Sequence, residues 1–301
     1  MSAIESDISR SAARLVNENG GFPAQEQRPP GATGAMDPLP DHGEESYVGY
    51  GRLADMHALI TGGDSGIGRA VAIAYAREGA DVALSYLEDE QEDAEETARW
   101  VRQAGQHAAL LPGDLTDRDV CRRLPGRAVE ELGGLDVVVN NAAYQMARTR
   151  GIEEISAEQL DRVMRTNLYA MFWLTQAAIP FLVAGSSIIN TTSIQAYEPS
   201  AALLDYAATK AAINNFTVNL AGELGPRGIR VNAVAPGPIW TPLQPATQRG
   251  EDLQGFGGGT PLGRAGQPGE VAPAYVFLAS PSDASYVSGT VLGVTGGKPV
   301  F

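Results

Sequence analysis

The chain has 301 residues, 44% hydrophobic and 19% charged, enough for one large α/β domain but tight for two of full size. Its formal net charge of -14 repels phosphate backbones and anionic lipid, which argues against nucleic-acid and membrane-surface partners. A single cysteine, Cys121, excludes an intrachain disulfide or a cysteine-based metal cluster, and with His42, His57 and His107 scattered no metal site is expected. No stretch approaches the roughly 18 apolar residues of a membrane span, and the N-terminus has no apolar signal core, so a cytoplasmic location is expected.

In chain order, residues 1–50 differ in texture from the rest. Pro23, Pro29, Pro30, Pro38 and Pro40 interrupt regular structure, although a short helix fits up to about Arg14. Two readings stand for this arm: a disordered tail, or an extension laid over its own domain or a neighbouring subunit. From residue 51 to 301 the pattern is that of one domain. Short apolar runs predict strands at His57–Thr61, Asp81–Tyr86, Ala108–Pro112, Leu135–Asn140, Ser187–Thr191, Ile229–Ala235 and Thr290–Val294. Helical periodicity fills the gaps at Gly66–Glu78, Asp89–Ala104, Asp117–Leu132, Ala157–Leu182, Tyr206–Leu224 and Glu270–Ala279. Such alternation predicts an α/β fold, a doubly wound parallel sheet of the Rossmann type covered on both faces. The Pro- and Gly-rich segment Pro236–Gly259 is too long for an ordinary connection and reads as a functional loop over a site.

The first predicted strand ends in Thr61-Gly62-Gly63-Asp64-Ser65-Gly66-Ile67-Gly68 and runs into a helix. Glycine permits the tight turn, lets backbone N–H groups approach a pyrophosphate, and lets helix and strand pack closely. The helix N-terminus adds partial positive charge at the same place. Later, Tyr206 and Lys210 stand four apart in a predicted helix and so share a face, thirteen residues after Ser193. Lysine is rare here: of 22 basic residues only Lys210 and Lys298 are lysine, which fits a demand for a compact ammonium at position 210. An ammonium beside a phenol favours the phenolate, so Tyr206 is expected to be shifted toward neutral pH and to act as acid and base.

The G-x-x-x-G-x-G spacing, Asn140-Asn141-Ala142-Ala143 after the fourth strand, and the Ser193/Tyr206/Lys210 set resemble the short-chain dehydrogenase/reductase family. The resemblance runs from about Arg52 to the C-terminus, with alanine at 143 where the family carries glycine. It implies a nicotinamide dinucleotide held by Gly62, Asp64, Ser65, Gly66, Ile67 and Gly68, and by Ser85 and Tyr86 at the end of the second strand. Asp114 and Leu115 would lie beside the adenine, and Asn141, Ala142 and Ala143 would line the cofactor. Tyr206, Lys210, Pro236, Gly237, Ile239 and Thr241 would reach the nicotinamide end. The resemblance also implies Asn167, Ser193, Tyr206 and Lys210 as catalytic residues, with Ser193 holding the substrate oxygen and Asn167 supporting a proton relay to the lysine.

An acid at the end of the second strand would exclude the 2′-phosphate of NADP. Tyr86 stands there instead, which tilts the expectation to NADP over NAD, while nearby Glu88, Asp89 and Glu90 pull the other way. Substrate contacts are expected by position from Tyr144, Gln145, Gln195, Leu203 and Trp240. The arm resembles that of bacterial stress-associated members labelled glucose/ribitol-dehydrogenase-like or aldehyde reductases. The mixed, largely apolar pocket set favours small aldehydes and ketones, or the corresponding alcohols, over a sugar polyol. A non-catalytic dinucleotide sensor is the rival from another class, and a Ser193 hydrolase fails for want of a downstream histidine. The last strand resembles one that packs between subunits, so a homotetramer is expected.

Overall fold

The computed structural model describes residues 21–301, so the helix considered near Arg14 lies outside the described residues. Seven parallel strands form one sheet: β1 His57–Thr61, β2 Asp81–Tyr86, β3 Ala108–Pro112, β4 Val137–Asn140, β5 Ser187–Thr191, β6 Arg230–Pro236 and β7 Val291–Val294. Their order is β3-β2-β1-β4-β5-β6-β7. The chain therefore builds outward from β1, then returns to lay β4 on β1's other side, with Leu59 opposite Val138. That reversal opens a crevice at the carboxyl ends of β1 and β4, where such sheets bind ligands.

Helices α1 Gly66–Arg77, α2 Gln91–Gln103, α3 Arg118–Leu132, α4 Ala157–Met164, α5 Ala170–Ala178, α6 Leu204–Leu224, α7 Leu243–Thr247 and α8 Pro268–Ala279 complete the order. The strands are apolar on both faces because both are covered. Ala58, Ile60, Val82 and Leu84 pack under α1 and α8, whereas Leu59, Ala83 and Val138 pack under α3 and α5. Among the described residues no helix is long and apolar enough to cross a membrane.

The helix predicted over Ala157–Leu182 is not continuous. Residues Arg165–Tyr169 form a π turn between α4 and α5, in which the Ala170 N–H reaches back to the Arg165 carbonyl. This looser turn coincides with Asn167, whose side chain is committed to tertiary bonds described below. The helix also stops at Ala178 rather than Leu182, because Pro180 has no N–H to continue the ladder.

The arm lies over its own domain. Phe22 stacks on Trp240 with ring centroids 3.8 Å apart, and both join Met36, Leu253 and Ala265 in a separate apolar cluster. Nearer the first strand, the fully buried Glu78 at the end of α1 gathers the arm's polar groups. It accepts from the Tyr47 hydroxyl at 2.7 Å, the Tyr50 N–H at 2.9 Å and the Arg52 N–H at 3.0 Å, and pairs with the Arg52 guanidinium at 2.6 Å. Burial on its own raises the Glu78 pKa, but the hydrogen bonds from Arg52 and Tyr47 outweigh it and hold the carboxyl at about 2. A depressed folded-state pKa gives stability that is present above the unfolded value and lost as pH falls through the folded one. Glu78→Gln is expected to cost about 2 kcal/mol at neutral pH, the scale of hydrogen bonds to a charged group. It should also flatten the pH dependence of urea denaturation between about pH 4.5 and 2. An unaltered pH profile would show that this carboxylate does not anchor the arm.

Candidate active site

The crevice at the β1/β4 switch holds a cavity of about 480 Å³ bordered by the glycine turn, the ends of β2, β4 and β5, α6 and the segment after β6. The glycine turn is built for close approach. Gly62 has φ +61 and Gly66 φ +49, and the Gly62 N–H is tied to the Ser85 carbonyl at 2.8 Å, joining the turn to β2. A side chain at Gly66 would press on Thr241, 3.1 Å from its Cβ, and close the cavity there. Gly68 is different. It does not border the cavity; a Cβ there would stand 1.8 Å from the Gly62 carbonyl oxygen. Its lack of a side chain lets α1 pack on the turn.

Asn141 braces this turn from β4. Its Nδ2 donates to the Thr61 and Gly62 carbonyls at 3.1 and 3.2 Å, and its Oδ1 accepts from Thr191 Oγ1 at 3.3 Å. Ala142 and Ala143 follow along the cavity wall, so the methyl at 143 is accommodated. Asp64, Ser65, Ile67, Ser85, Tyr86, Asp114 and Leu115 border one end of the cavity, and Pro236, Gly237, Ile239 and Thr241 border the other side. Ser85 Oγ and Asp64 Oδ2 are buried without a protein partner. Glycines that exclude any side chain, an open helix N-terminus and two unpaired buried oxygens fit a dinucleotide laid across the switch point.

The reacting groups converge from β5 and α6. Ser193 caps the short turn after β5, accepting the Gln195 N–H at 3.1 Å, and it borders the cavity together with Tyr206. Lys210, one turn along α6, is fully buried, and its Nζ donates to the Thr191 carbonyl at 2.8 Å. The expected downward shift of Tyr206 is not a property of the chain itself. Burial pushes its phenol up to about 12, and the bond from Ser193 only partly offsets this. Burial likewise brings Lys210 down to about 7. The ammonium lies 5.3 Å from the Tyr206 ring centre and is committed to Thr191, so desolvation dominates at both groups. Lys210→Arg is expected to lower kcat/KM about tenfold, because the wider guanidinium does not fit a closed ammonium site. A steady-state value equal to that of the unaltered chain would show that any cation serves.

Asn167 does not border the main cavity. It sits behind it in the π turn, where its Oδ1 accepts the Tyr144 N–H at 2.7 Å and its Nδ2 donates to the Tyr144 carbonyl at 2.9 Å. With Thr191 and Lys210 it lines a void of about 10 Å³, close to the size of one water. Asn167 thus positions the segment after β4 and adjoins the lysine.

Of the expected substrate contacts, Tyr144, Gln145, Gln195 and Leu203 border the cavity and Trp240 does not. Trp240 is fully buried in the arm cluster and donates from Nε1 to the Pro38 carbonyl at 2.9 Å. Pro236–Thr241 turns its neighbours Ile239 and Thr241 inward, which leaves the indole facing the arm. Among the wall residues that were not foreseen, Pro29 and Pro30 reach the cavity from the arm. Their only sequence signal is the proline pair, which marks a break and gives no destination.

Comparison with known proteins agrees with this geometry. Residues 62–298 match the family model described as enoyl-(acyl carrier protein) reductase. The uncharacterized oxidoreductase YhxD of Bacillus subtilis is 54% identical over 282 residues, covering 92% of this chain and 94% of that protein. The NADPH-dependent aldehyde reductase 1 of Arabidopsis thaliana is 47% identical over 276 residues, 90% of this chain and 96% of that one. A crystal structure of a short-chain dehydrogenase from Burkholderia cenocepacia in complex with NADP superposes with a TM-score of 0.75 at 35% identity, covering 82% of this chain and 98% of that chain. A doubly wound sheet with its glycine turn at the switch point, and relatives of this identity and coverage, place the chain in the short-chain dehydrogenase/reductase family, as an NAD(P)-dependent oxidoreductase.

Proposed function

We propose that the chain reduces small aldehydes and ketones to alcohols with a nicotinamide dinucleotide, and runs the reverse reaction on the same alcohols. The observation that carries this reading is the convergence of Ser193 with the buried Tyr206 and Lys210 on one wall of the cavity beside the glycine turn. The bound dinucleotide supplies the hydride. Ser193 then holds the substrate oxygen, and Tyr206, with its pKa held high, donates its proton as that oxygen gains charge. Lys210, anchored on Thr191, presents its ammonium beside Tyr206 and toward the cofactor ribose.

Polyol or sugar substrates fit less well. Gln145 spends its amide on Thr247 Oγ1 at 3.0 Å, and Gln195 Oε1 accepts the Ser200 N–H at 2.6 Å, so both glutamines expected to contact substrate are already partly committed within the protein. The name of the Arabidopsis relative supports the aldehyde reading. The test is oxidation of NADH and NADPH, followed by the loss of reduced-nicotinamide absorbance, across aldehydes, activated ketones and sugars. Turnover with aldehydes is expected. Tight binding of either cofactor with no turnover on any panel member would favour a dinucleotide sensor instead.

We further propose a homotetramer working in the cytoplasm. Exposed Tyr169, Phe172 and Val218 on α5, its preceding turn and α6 support assembly, and the lone buried thiol of Cys121 fits a reducing compartment. Light scattering of the purified chain should give four times the monomer mass, and a monomeric mass would remove the assembly from the proposal.

A further inference from the structure

The end of β2 has no acid at Tyr86, yet two carboxyl groups border the cavity there from other directions. Asp64 enters from the glycine turn and Glu90 from the turn before α2. Asp64 is almost wholly buried, and its backbone is fixed because its carbonyl accepts from Arg69 Nε at 2.9 Å and Thr97 Oγ1 at 2.8 Å. Its Oδ2 has no hydrogen-bond partner, and neither does the Oγ of Ser85, which borders the same cavity. Two unpaired buried oxygens at this end of the crevice are what a vicinal diol would satisfy.

Among the described residues no lysine or arginine forms an ion pair with either carboxyl. Of the basic residues bordering the cavity, Lys210 is bonded at Thr191, Arg162 stacks over the Tyr144 ring at 4.3 Å, and Lys298 pairs with Glu198 at 3.0 Å. Arg69 spends its guanidinium on the Asp64 backbone carbonyl at 2.9 Å and on Asp93 at 2.8 Å, and forms no ion pair with the Asp64 carboxyl. A 2′-phosphate would meet carboxyl groups with no uncommitted arginine or lysine on the cavity wall to receive it, whereas an unmodified ribose would meet acceptors for its hydroxyls.

We propose that Asp64 and Glu90 together make the chain select NAD(H) over NADP(H), taking the part that a β2-terminal acid would otherwise play. This rests on the dinucleotide reading under Proposed function. Burial raises the pKa of both carboxyls, and at Glu90 the charge of Asp64 adds to it.

The experiment is calorimetric titration of the full chain with NADH and with NADPH, for the unaltered protein, Glu90→Gln and Asp64→Asn. Glutamine keeps the acceptor that bonds the Leu87 N–H at 3.1 Å, so the turn before α2 survives the change. The unaltered chain is expected to bind NADH at least about tenfold more tightly than NADPH, and each variant to narrow that ratio by strengthening NADPH, since each removes like charge from a site with no counter-cation. Equal or tighter binding of NADPH by the unaltered chain, the preference in the Arabidopsis relative's name, would overturn the proposal. So would a ratio that neither variant moves. Binding of both dinucleotides without a preference, with turnover that depends on Tyr206, removes this inference alone; failure of both to bind removes it together with the functional reading.

Discussion

Tyr206→Phe is expected to lower kcat by about 10² to 10⁴-fold, the usual range for one general acid/base group. The change removes a single oxygen from a buried ring, so packing against α6 and the Ser193 turn is preserved. Dinucleotide affinity should therefore change little, and the loss should fall on kcat and kcat/KM together, as it does when an interaction made only in the transition state is removed. The hydroxyl is held at about 12 by burial, so the residue enters the reductive direction as a protonated donor. Stopped-flow single turnovers would separate the chemical step from cofactor release. Near-normal single-turnover rates in the phenylalanine variant would remove Tyr206 as the proton donor and reopen the sensor reading.

Trp240→Ala is expected to destabilise the folded chain by about 3–5 kcal/mol, the range for emptying a large buried aromatic site. The indole stacks on Phe22 nearly parallel, at an interplanar angle of 8°, and lies against Leu253 and Ala265. Its backbone N–H is bonded to the Gly266 carbonyl at 2.9 Å. Removing it opens a void and leaves the Pro38 carbonyl without its donor. The same cluster holds the segment after β6, whose Ile239 and Thr241 face the cavity, so the cofactor KM should rise along with the stability loss. Thermal unfolding and steady-state kinetics on one preparation check both. An unmoved melting midpoint would show that the arm cluster unfolds separately from the domain.

Much of the fold was legible because strand and helix patterns are local. All seven strands lie where short apolar runs predict them, with β4 beginning two residues late, at Val137 rather than Leu135, and β6 and β7 each beginning one residue late, at Arg230 and Val291. The chemistry of Ser193, Tyr206 and Lys210 was legible for the same reason: a four-residue step along one helix brings two side chains to one face whatever surrounds them. Gly62 and Gly66 were also readable, since a tight strand-to-helix turn needs their backbone freedom.

What the sequence by itself determined, then, is the succession of elements, the glycine turn and the order of the reacting groups. Only the tertiary structure decided where side chains outside those local patterns point. Trp240 looked like a pocket residue by its place after β6 and is instead the arm's anchor, because Phe22 arrives from more than two hundred residues away. Asn167 breaks the regular helix to hold Tyr144, a commitment that apolar periodicity does not record. Tyr206 is raised rather than lowered, because desolvation depends on how completely the surrounding elements exclude water. Pro29, Pro30 and Glu90 border the cavity through contacts between segments that are remote from it in sequence. Local pattern reports the backbone path, and burial and charge environment are set by which distant segments meet there.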